Sequence, residues 1–439
     1  MEASLQEILT AREDRVRRQQ RILREYAAPI VCFTMNIAGP VKVSPLICRG
    51  FREGMALLNA KLPPEKVLYR SIEEKATGCE AMLAVAMPAE EMKAFCVALE
   101  EKHPLGRLFD MDVLDTDGRK LERKDQRGCM VCGAPGRGCA ARRLHSVTEL
   151  QEVTRQLLEG YFARKDDLFI AEKAVQSLLD EVFTTPKPGL VDRRNNGSHS
   201  DMDVPLFETS AGALKPYFSE CVKIGRETAG KAPEETFARL RKAGVEAEKA
   251  MYRATGGINT HKGAIYTMGI LCGSIGRLWS PDAPVAPVSE LLAECARVAE
   301  KAVEADFAAI SGETAGGRLY LQYGLRGIRG QVAAGLPAVK EIGLPAYEAG
   351  LKKGLSQNDA GAAALVQLIA GVEDTNLYHR GGKAGAAWAK SAAKALGPYP
   401  GRQQLEQLDD AFVQRNLSAG GCADLLAVTY FLHSLQINL

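Results

Sequence analysis

The spacing of apolar residues divides the chain near position 150. Before it, strand-like and helix-like patterns take turns. Residues 5–26 form a charged helical stretch, and PIVCFTMNIAG, 29–39, is rich in strand-favouring residues and runs into Pro40. CEAMLAVAM, 79–87, predicts a buried strand. MPAEEMKAFCVALEEKH, 87–103, predicts a helix through Met92, Phe95, Cys96 and Leu99. RLFDMDVLDTDGR, 107–119, predicts a strand running into an Asp-Gly turn. The segment 40–78 carries no assignable pattern. After 150, alanine-rich amphipathic stretches dominate, at 146–163, 168–183, 236–254, 288–310 and 359–372, with Gly-rich or Pro-rich connectors. The expected architecture is multi-domain. An α+β domain over 1–160 is followed by a mostly all-α domain over 165–439.

Composition narrows this picture. The chain has 439 residues, 46% of them hydrophobic, enough for two or three domains with sizeable cores. Lys plus Arg number 56 against 54 Asp plus Glu, a formal net charge of +2. That balance argues against bulk electrostatic binding to nucleic acid or a membrane surface. The basic run REDRVRRQQRILR, 12–24, reads as a solvated helix face. No stretch approaches the ~18 apolar residues of a membrane span. The start, MEASLQEILTARED, has no apolar signal core, and the eleven cysteines suit reduced thiols. A cytoplasmic location is expected.

Two places in the first domain carry candidate chemistry. Asp110 and Asp112 stand two apart in the strand-like RLFDMDVLD, so both carboxylates share one face. Two carboxylates on one face suit Mg²⁺ and metal-assisted phosphoryl or nucleotidyl transfer, and the α+β domain is expected to be nucleotidyltransferase-like. The alternative is an edge strand with Asp turned to solvent. Downstream, Cys129 and Cys132 form a Cys-x-x-Cys pair, with Cys139 and His145 at ligand spacing for structural Zn²⁺. The alternative is free thiols beside a basic loop, Arg137, Arg142 and Arg143, that grips phosphate.

The second domain holds five polar clusters. In TTPKPGLVDRRNNGSHSDMD, 184–203, the prolines keep the chain extended and Gly189 permits an unusual backbone angle. If the segment stays extended, His199, Asp201 and Asp203 face one way and could bind a metal or a hydroxyl. The alternative is that Asp201 or Asp203 caps a helix containing Pro205. Lys187, Asp192 and Asn195 are further binding candidates there. TGGINTHKGAIYTMG, 255–269, puts Asn259, His261 and Lys262 at a helix start that suits phosphate. RLYLQYGLRGIRGQ, 318–331, puts Arg326 and Arg329 on one face if helical, suited to a polyphosphate. VEDTNLYHRGGKAG, 372–385, places Asp374, Asn376, His379 and Arg380 at the end of an apolar helix that stops at Gly-Gly. NLSAGGCADLLAVTYFLHSL, 416–435, buries Asp424 in an apolar run, and a buried Asp must be paired or ligate something.

These five clusters, in this order, resemble the motifs of triphosphoribosyl-dephospho-CoA synthase over nearly all of 165–439. The first half, through RLFDMDVLD, CMVC and CAARRLH, resembles the citrate lyase holo-acyl-carrier-protein synthase, a phosphoribosyl-dephospho-CoA transferase. The resemblance implies a bifunctional transferase. Its helical domain would join ATP to 3′-dephospho-CoA and release adenine. Its first domain would transfer phosphoribosyl-dephospho-CoA to a serine of the apo acyl carrier protein of citrate lyase, the γ subunit, and release pyrophosphate. It also implies roles. Lys262, Arg326 and Arg329 would hold the triphosphate with Mg²⁺. The general base would come from His199, Asp201 and Asp203, or from Asp374 or Asp424. Asp110 and Asp112 would hold Mg²⁺, and Arg107, Arg142 and Arg143 the pyrophosphate. Two other readings compete: the related prosthetic group of malonate decarboxylase, and a zinc-knuckle nucleic-acid-binding protein.

Overall fold

A computed structural model of the chain describes residues 4–437 apart from 126 and 135, and not the side chains at 5, 136, 137 and 140, so the Arg137 side chain lies outside the described residues. The chain forms two units, Met1–Lys165 and Asp166–Leu439.

In the first unit, β1 (Ile30–Met35), β2 (Val67–Lys75), β3 (Gly78–Val85) and β4 (Phe109–Leu114) form an antiparallel sheet in the order β2-β3-β1-β4. Alternation sorts the side chains. Val31, Phe33, Leu83, Met111 and Val113 face a core shared with the helices Pro45–Lys61 and Ala89–Lys102. Ile30, Cys32, Met82 and Ala84 face the other way, under Ile22 of the helix Leu5–Tyr26. The unassigned segment 40–78 thus holds a helix and a strand. The helix carries ordinary start signals, with Ser44 accepting from Ile47 N at 3.2 Å and Pro45 in its first turn. β2 escaped because it is an edge strand without a clean apolar face: Leu68 and Ile72 are exposed alongside Arg70 and Glu74.

The stretches 146–163 and 168–183 are one helix, Val147–Phe183. Charged Arg164, Lys165, Asp166 and Asp167 interrupt its apolar pattern without breaking it, because none of them is a helix breaker. The second unit is otherwise helical. At its centre lies the helix Lys262–Leu278, buried over most of its length. It meets the helix Lys215–Glu227 through glycines: a Cβ on Gly225 would come 1.9 Å from Gly273 O, and one on Gly276 1.9 Å from Val222 O. The helices Gln357–Gly371 and Gly420–Ile437 complete the core. Among the described residues no helix is long and apolar enough to cross a membrane.

Candidate active sites

The loop 184–203 is held by acids whose oxygens point back at the backbone. Buried Asp192 accepts from Lys187 N (2.7 Å), Arg194 N (2.6 Å) and Asn195 N (3.1 Å). Fully buried Asp409 accepts from Gly189 N at 2.9 Å and Asn195 Nδ2 at 2.8 Å, and pairs with Arg194. Gly189 is needed as glycine: its φ is +67°, and a Cβ would lie 2.1 Å from Leu417 O. Asp192 and Asn195 therefore shape this loop. Asp409 was not anticipated from the sequence.

The extended run expected at 199–203 does not form, because the backbone bends at Ser200 and Asp201. His199 turns to Arg380, whose Nη2 donates to its Nδ1 at 3.2 Å. Arginine only donates, so the proton of His199 sits on Nε2, which donates to Ser418 Oγ at 3.0 Å. Burial, then the Arg380 charge, lower the His199 pKa, so the ring is neutral. Arg380 also donates to Ser198 O and Asn416 Oδ1, each at 2.9 Å. Asp203 caps the helix Val204–Ala213 and accepts from Leu206 N at 2.9 Å, while Asp201 is exposed. No group of three or more metal-ligating side chains forms around them among the described residues. Asp203→Ala is expected to cost about 1 kcal/mol of stability through the lost cap. Thermal unfolding should show the loss while adenine release keeps its rate.

A second set gathers at the start of the Lys262–Leu278 helix. Lys187 is 1% exposed and donates to the Glu181 carboxylate and, at 2.7 Å, to the Glu181 carbonyl. His261 is buried, with Nδ1 2.7 Å from Ser210 Oγ. Burial, then the Lys187 charge, bring its pKa down to about 3. Its Nε2 is buried without a hydrogen-bond partner among the described residues, and so is the hydroxyl of Tyr266, which lines a cavity with Phe237 and Arg241. Asp424 approaches the same first turn: a Cβ on Gly263 would sit 1.9 Å from its Oδ2. Enclosure, then the charges of Glu181 and Asp374, push the Asp424 pKa well above the aspartate value. Glu181 was missed, although an acid inside LLDEVF is the same signal that marked Asp424.

The other clusters are dispersed or committed. Asp374 lies beyond the apolar helix Gln357–Gly371, not in it. It caps the helix Thr375–Ala395, accepting from Asn376 N (2.7 Å) and Leu377 N (3.2 Å), while its Oδ2 accepts from Cys422 N at 2.8 Å. The helical stretch it caps does stop at Gly381-Gly382: Gly382, with φ +60° and ψ −168°, is not helical, and a second helical stretch runs on to Ala395. Asn376 and His379 are exposed on the capped stretch. Lys262 is exposed and pairs with Glu248 at 2.9 Å, and Asn259 Oδ1 accepts from Lys262 N at 3.2 Å. Arg326 and Arg329 do not share a face. Arg326 precedes its helix, pairs with Glu304 at 2.5 Å and lies over the Phe307 ring. It lines a cavity of about 560 Å³ with Asp374 and Glu341. Arg329 lines another of about 500 Å³ with Tyr217, Phe237, Arg241 and Tyr266.

The first unit has a cavity of about 920 Å³ along edge strand β4. Asp110 and Asp112 both line it, so the shared face and the edge position coexist. Lys120 Nζ holds Asp112 Oδ2 at 2.5 Å, and no protein hydrogen bond is found for the Asp110 carboxylate among the described residues. Enclosure, then the Asp112 charge, raise the Asp110 pKa. Arg107 and Arg143 line the cavity. Arg142 does not: it is exposed and donates to Gly138 O at 3.2 Å. Two unforeseen cations, Arg123 and Arg127, line it too, held by buried Glu100. Cys129, Cys139 and His145 form part of the same wall.

The family pattern described as ATP:dephospho-CoA triphosphoribosyl transferase matches residues 168–438. The chain belongs to this family. A second pattern, apo-citrate lyase phosphoribosyl-dephospho-CoA transferase, matches residues 3–161. Relatives carry both parts in one chain. Protein CitXG of Haemophilus influenzae is 34% identical over 461 residues, covering 99% of this chain and 97% of that one. Protein CitXG of Leuconostoc mesenteroides subsp. cremoris is 30% identical, covering 98% and 97%. A probable 2-(5''-triphosphoribosyl)-3'-dephosphocoenzyme-A synthase of Vibrio cholerae serotype O1 is 41% identical over 277 residues, 61% of this chain and 88% of that one. The chain is thus a transferase enzyme of the citrate lyase prosthetic-group families, with the carrier-loading family first and the ATP-using family second.

Proposed function

We propose that the second unit joins ATP to 3′-dephospho-CoA and that the first unit transfers the product to the apo acyl carrier protein of citrate lyase. In the first reaction the ribose 2′-hydroxyl of dephospho-CoA attacks the anomeric carbon of ATP. A C–O bond forms as the bond to adenine breaks, and the triphosphate stays whole. The hydroxyl proton needs a base. Asp424 is the base we assign. Asp192, Asp203 and Asp374 spend oxygens on backbone N–H groups, whereas Asp424 has no protein hydrogen bond found among the described residues. Its pKa is raised well above the aspartate value by enclosure and then by Glu181 and Asp374, which makes its carboxylate a stronger base. Its charge would also stabilise the oxocarbenium-like carbon.

The carrying observation lies at one helix start: Asp424 stands against Gly263, two residues after His261, whose Nε2 is buried without a partner among the described residues. Buried polar atoms are normally satisfied, so such an atom calls for a ligand. The Tyr266 cavity, with aromatic walls and the cations Arg241 and Arg329, fits a nucleotide. Lys262 and Arg326 keep acidic partners and are less available to the triphosphate.

In the first unit the carrier serine attacks the phosphate next to the ribose and pyrophosphate leaves. Asp110 and Asp112 fit Mg²⁺ by their shared face and by the lack of a competing partner on Asp110. Mg²⁺, when bound there, supplies charge neutralisation at the transferred phosphate. Arg107 and Arg143 hold the leaving pyrophosphate, with Arg123 and Arg127, which keep Glu100 as a partner, adding charge to the same wall. The carboxylate pair and the arginines support a nucleotidyltransferase-like reading of the first unit. The enzyme works on soluble nucleotides in the cytoplasm.

Mass spectrometry of the protein with ATP, Mg²⁺ and 3′-dephospho-CoA tests the reading. Free adenine and a triphosphoribosyl adduct are expected, followed by a phosphoribosyl-dephospho-CoA adduct when the apo citrate lyase carrier is added. Intact ATP, or loss of phosphate alone, would overturn the first step. Labelling of the malonate decarboxylase carrier alone would overturn the acceptor.

A further inference from the structure

The donor atoms of Cys129, Cys132, Cys139 and His145 all lie within 4.8 Å of one another. Cys132 Sγ is 3.5 Å from Cys139 Sγ and 3.3 Å from His145 Nε2. A tetrahedral zinc with sulfur ligands at ~2.3 Å separates its ligand atoms by roughly 3.8 Å, so the four side chains are gathered at about the right spacing. The backbone is shaped for it. Gly133 N donates to Cys129 O at 3.0 Å and Cys129 N to Ala134 O at 2.6 Å, folding the Cys-x-x-Cys turn tightly. Gly133 takes φ +74° inside that turn. Gly128 needs to be glycine, since a Cβ there would come 2.7 Å from Gly133 O. Beyond the turn, Leu144 N donates to Cys139 O at 3.1 Å and brings His145 back to the thiols. The chain's other cysteines are all buried. Among the described residues no other group of three or more such ligands gathers.

We propose that these four residues bind one Zn²⁺ as a closed structural site. Three thiolates and one imidazole complete a tetrahedron, with no position left for substrate. The metal would staple residues 129–145 into a single fold. That segment is one wall of the cavity beside Asp110 and Asp112. Arg107 donates to Gly128 O, next to the first ligand, and Arg143 lines the cavity two residues before the last. Arg143 also holds φ +47°, a left-handed angle that a non-glycine residue keeps only when its surroundings enforce it. The metal assignment stands on the four side chains alone. Its consequence for carrier loading rests on the reading of that cavity given above.

The full-length enzyme, purified under reducing conditions, incubated with equimolar Zn²⁺ and desalted, tests the metal by elemental analysis. One zinc per chain is expected, and Cys132→Ser and His145→Ala should each lose it. Co²⁺ in place of Zn²⁺ should give the intense visible bands of a tetrahedral thiolate site. No zinc in the wild type, zinc retained in both variants, or a Cys132–Cys139 disulfide in place of the metal would overturn the site. Adenine release by the second unit reports that each variant is otherwise folded. Carrier loading from premade triphosphoribosyl-dephospho-CoA should fall at least tenfold in the zinc-free variants. Loss of zinc with loading unchanged would leave the metal site standing and overturn the bracing of the wall.

Discussion

Asp424→Asn is expected to lower the rate of adenine release by roughly 10²–10⁴-fold, the usual contribution of a positioned base. The amide matches the carboxylate in size but cannot take the hydroxyl proton. A merely structural role predicts a different outcome. The Asp424 pKa is raised in the folded protein, first by enclosure and then by Glu181 and Asp374. An acid with a raised folded pKa lends stability below its unfolded pKa, and that stability is lost as pH rises through the folded pKa. At neutral pH and above, removing this charge should leave the melting temperature unchanged or higher. Activity lost with stability kept is the signature expected. The wild-type rate should fall as pH drops through the raised pKa, and that limb should vanish in the variant. Adenine release within tenfold of wild type would remove Asp424 from the role.

Asp110→Asn should separate the two activities the other way. Supplied with premade triphosphoribosyl-dephospho-CoA, the variant should load apo carrier roughly 10²–10³-fold more slowly, the scale seen when one preorganised electrostatic partner is deleted. Adenine release from ATP should be unaffected. Asp112 keeps its Lys120 partner in this variant, so the strand and the cavity should stay intact. The Mg²⁺ concentration needed for half-maximal loading should rise, since one of two carboxylates is gone. A loading rate and Mg²⁺ requirement like those of wild type would show that Asp110 does not hold the ion. Loss of both activities would point instead to a folding defect.

The patterns most legible in the sequence were those with a single periodicity. The helices at 5–26, 87–103, 236–254, 288–310 and 359–372 and the strands around Phe33, Leu83 and Met111 occur where apolar spacing placed them. What failed depended on contacts between distant segments. Spacing could put Arg326 and Arg329 on one helix face only if both lay inside the helix, and Arg326 lies just before it. Asp374 looked like a residue at a helix end, but its oxygens hold the starts of two helices separated by more than forty residues. Asp203 offered both a cap and a ligand, and only the coordinates show its Oδ1 on Leu206 N. Glu181 carries the same signal as Asp424, an acid inside the apolar LLDEVF, but its role shows only through its pairing with buried Lys187. Sequence reading thus found the acids that stood alone among apolar residues. It could not tell which acids the backbone had already claimed.

The glycine contact between the helices Lys215–Glu227 and Lys262–Leu278 bears on how this enzyme could be redesigned. With Gly225 and Gly276 set against opposing carbonyls, neither helix can turn about its axis without driving a side chain into a backbone. An insertion of one residue would rotate everything beyond it by about 100° and break the fit. A library meant to change the accepted nucleotide should therefore leave this pair untouched and vary Val245, Asp306 and Ala309 around the Tyr266 cavity, which contact the vacant space from other helices and connections.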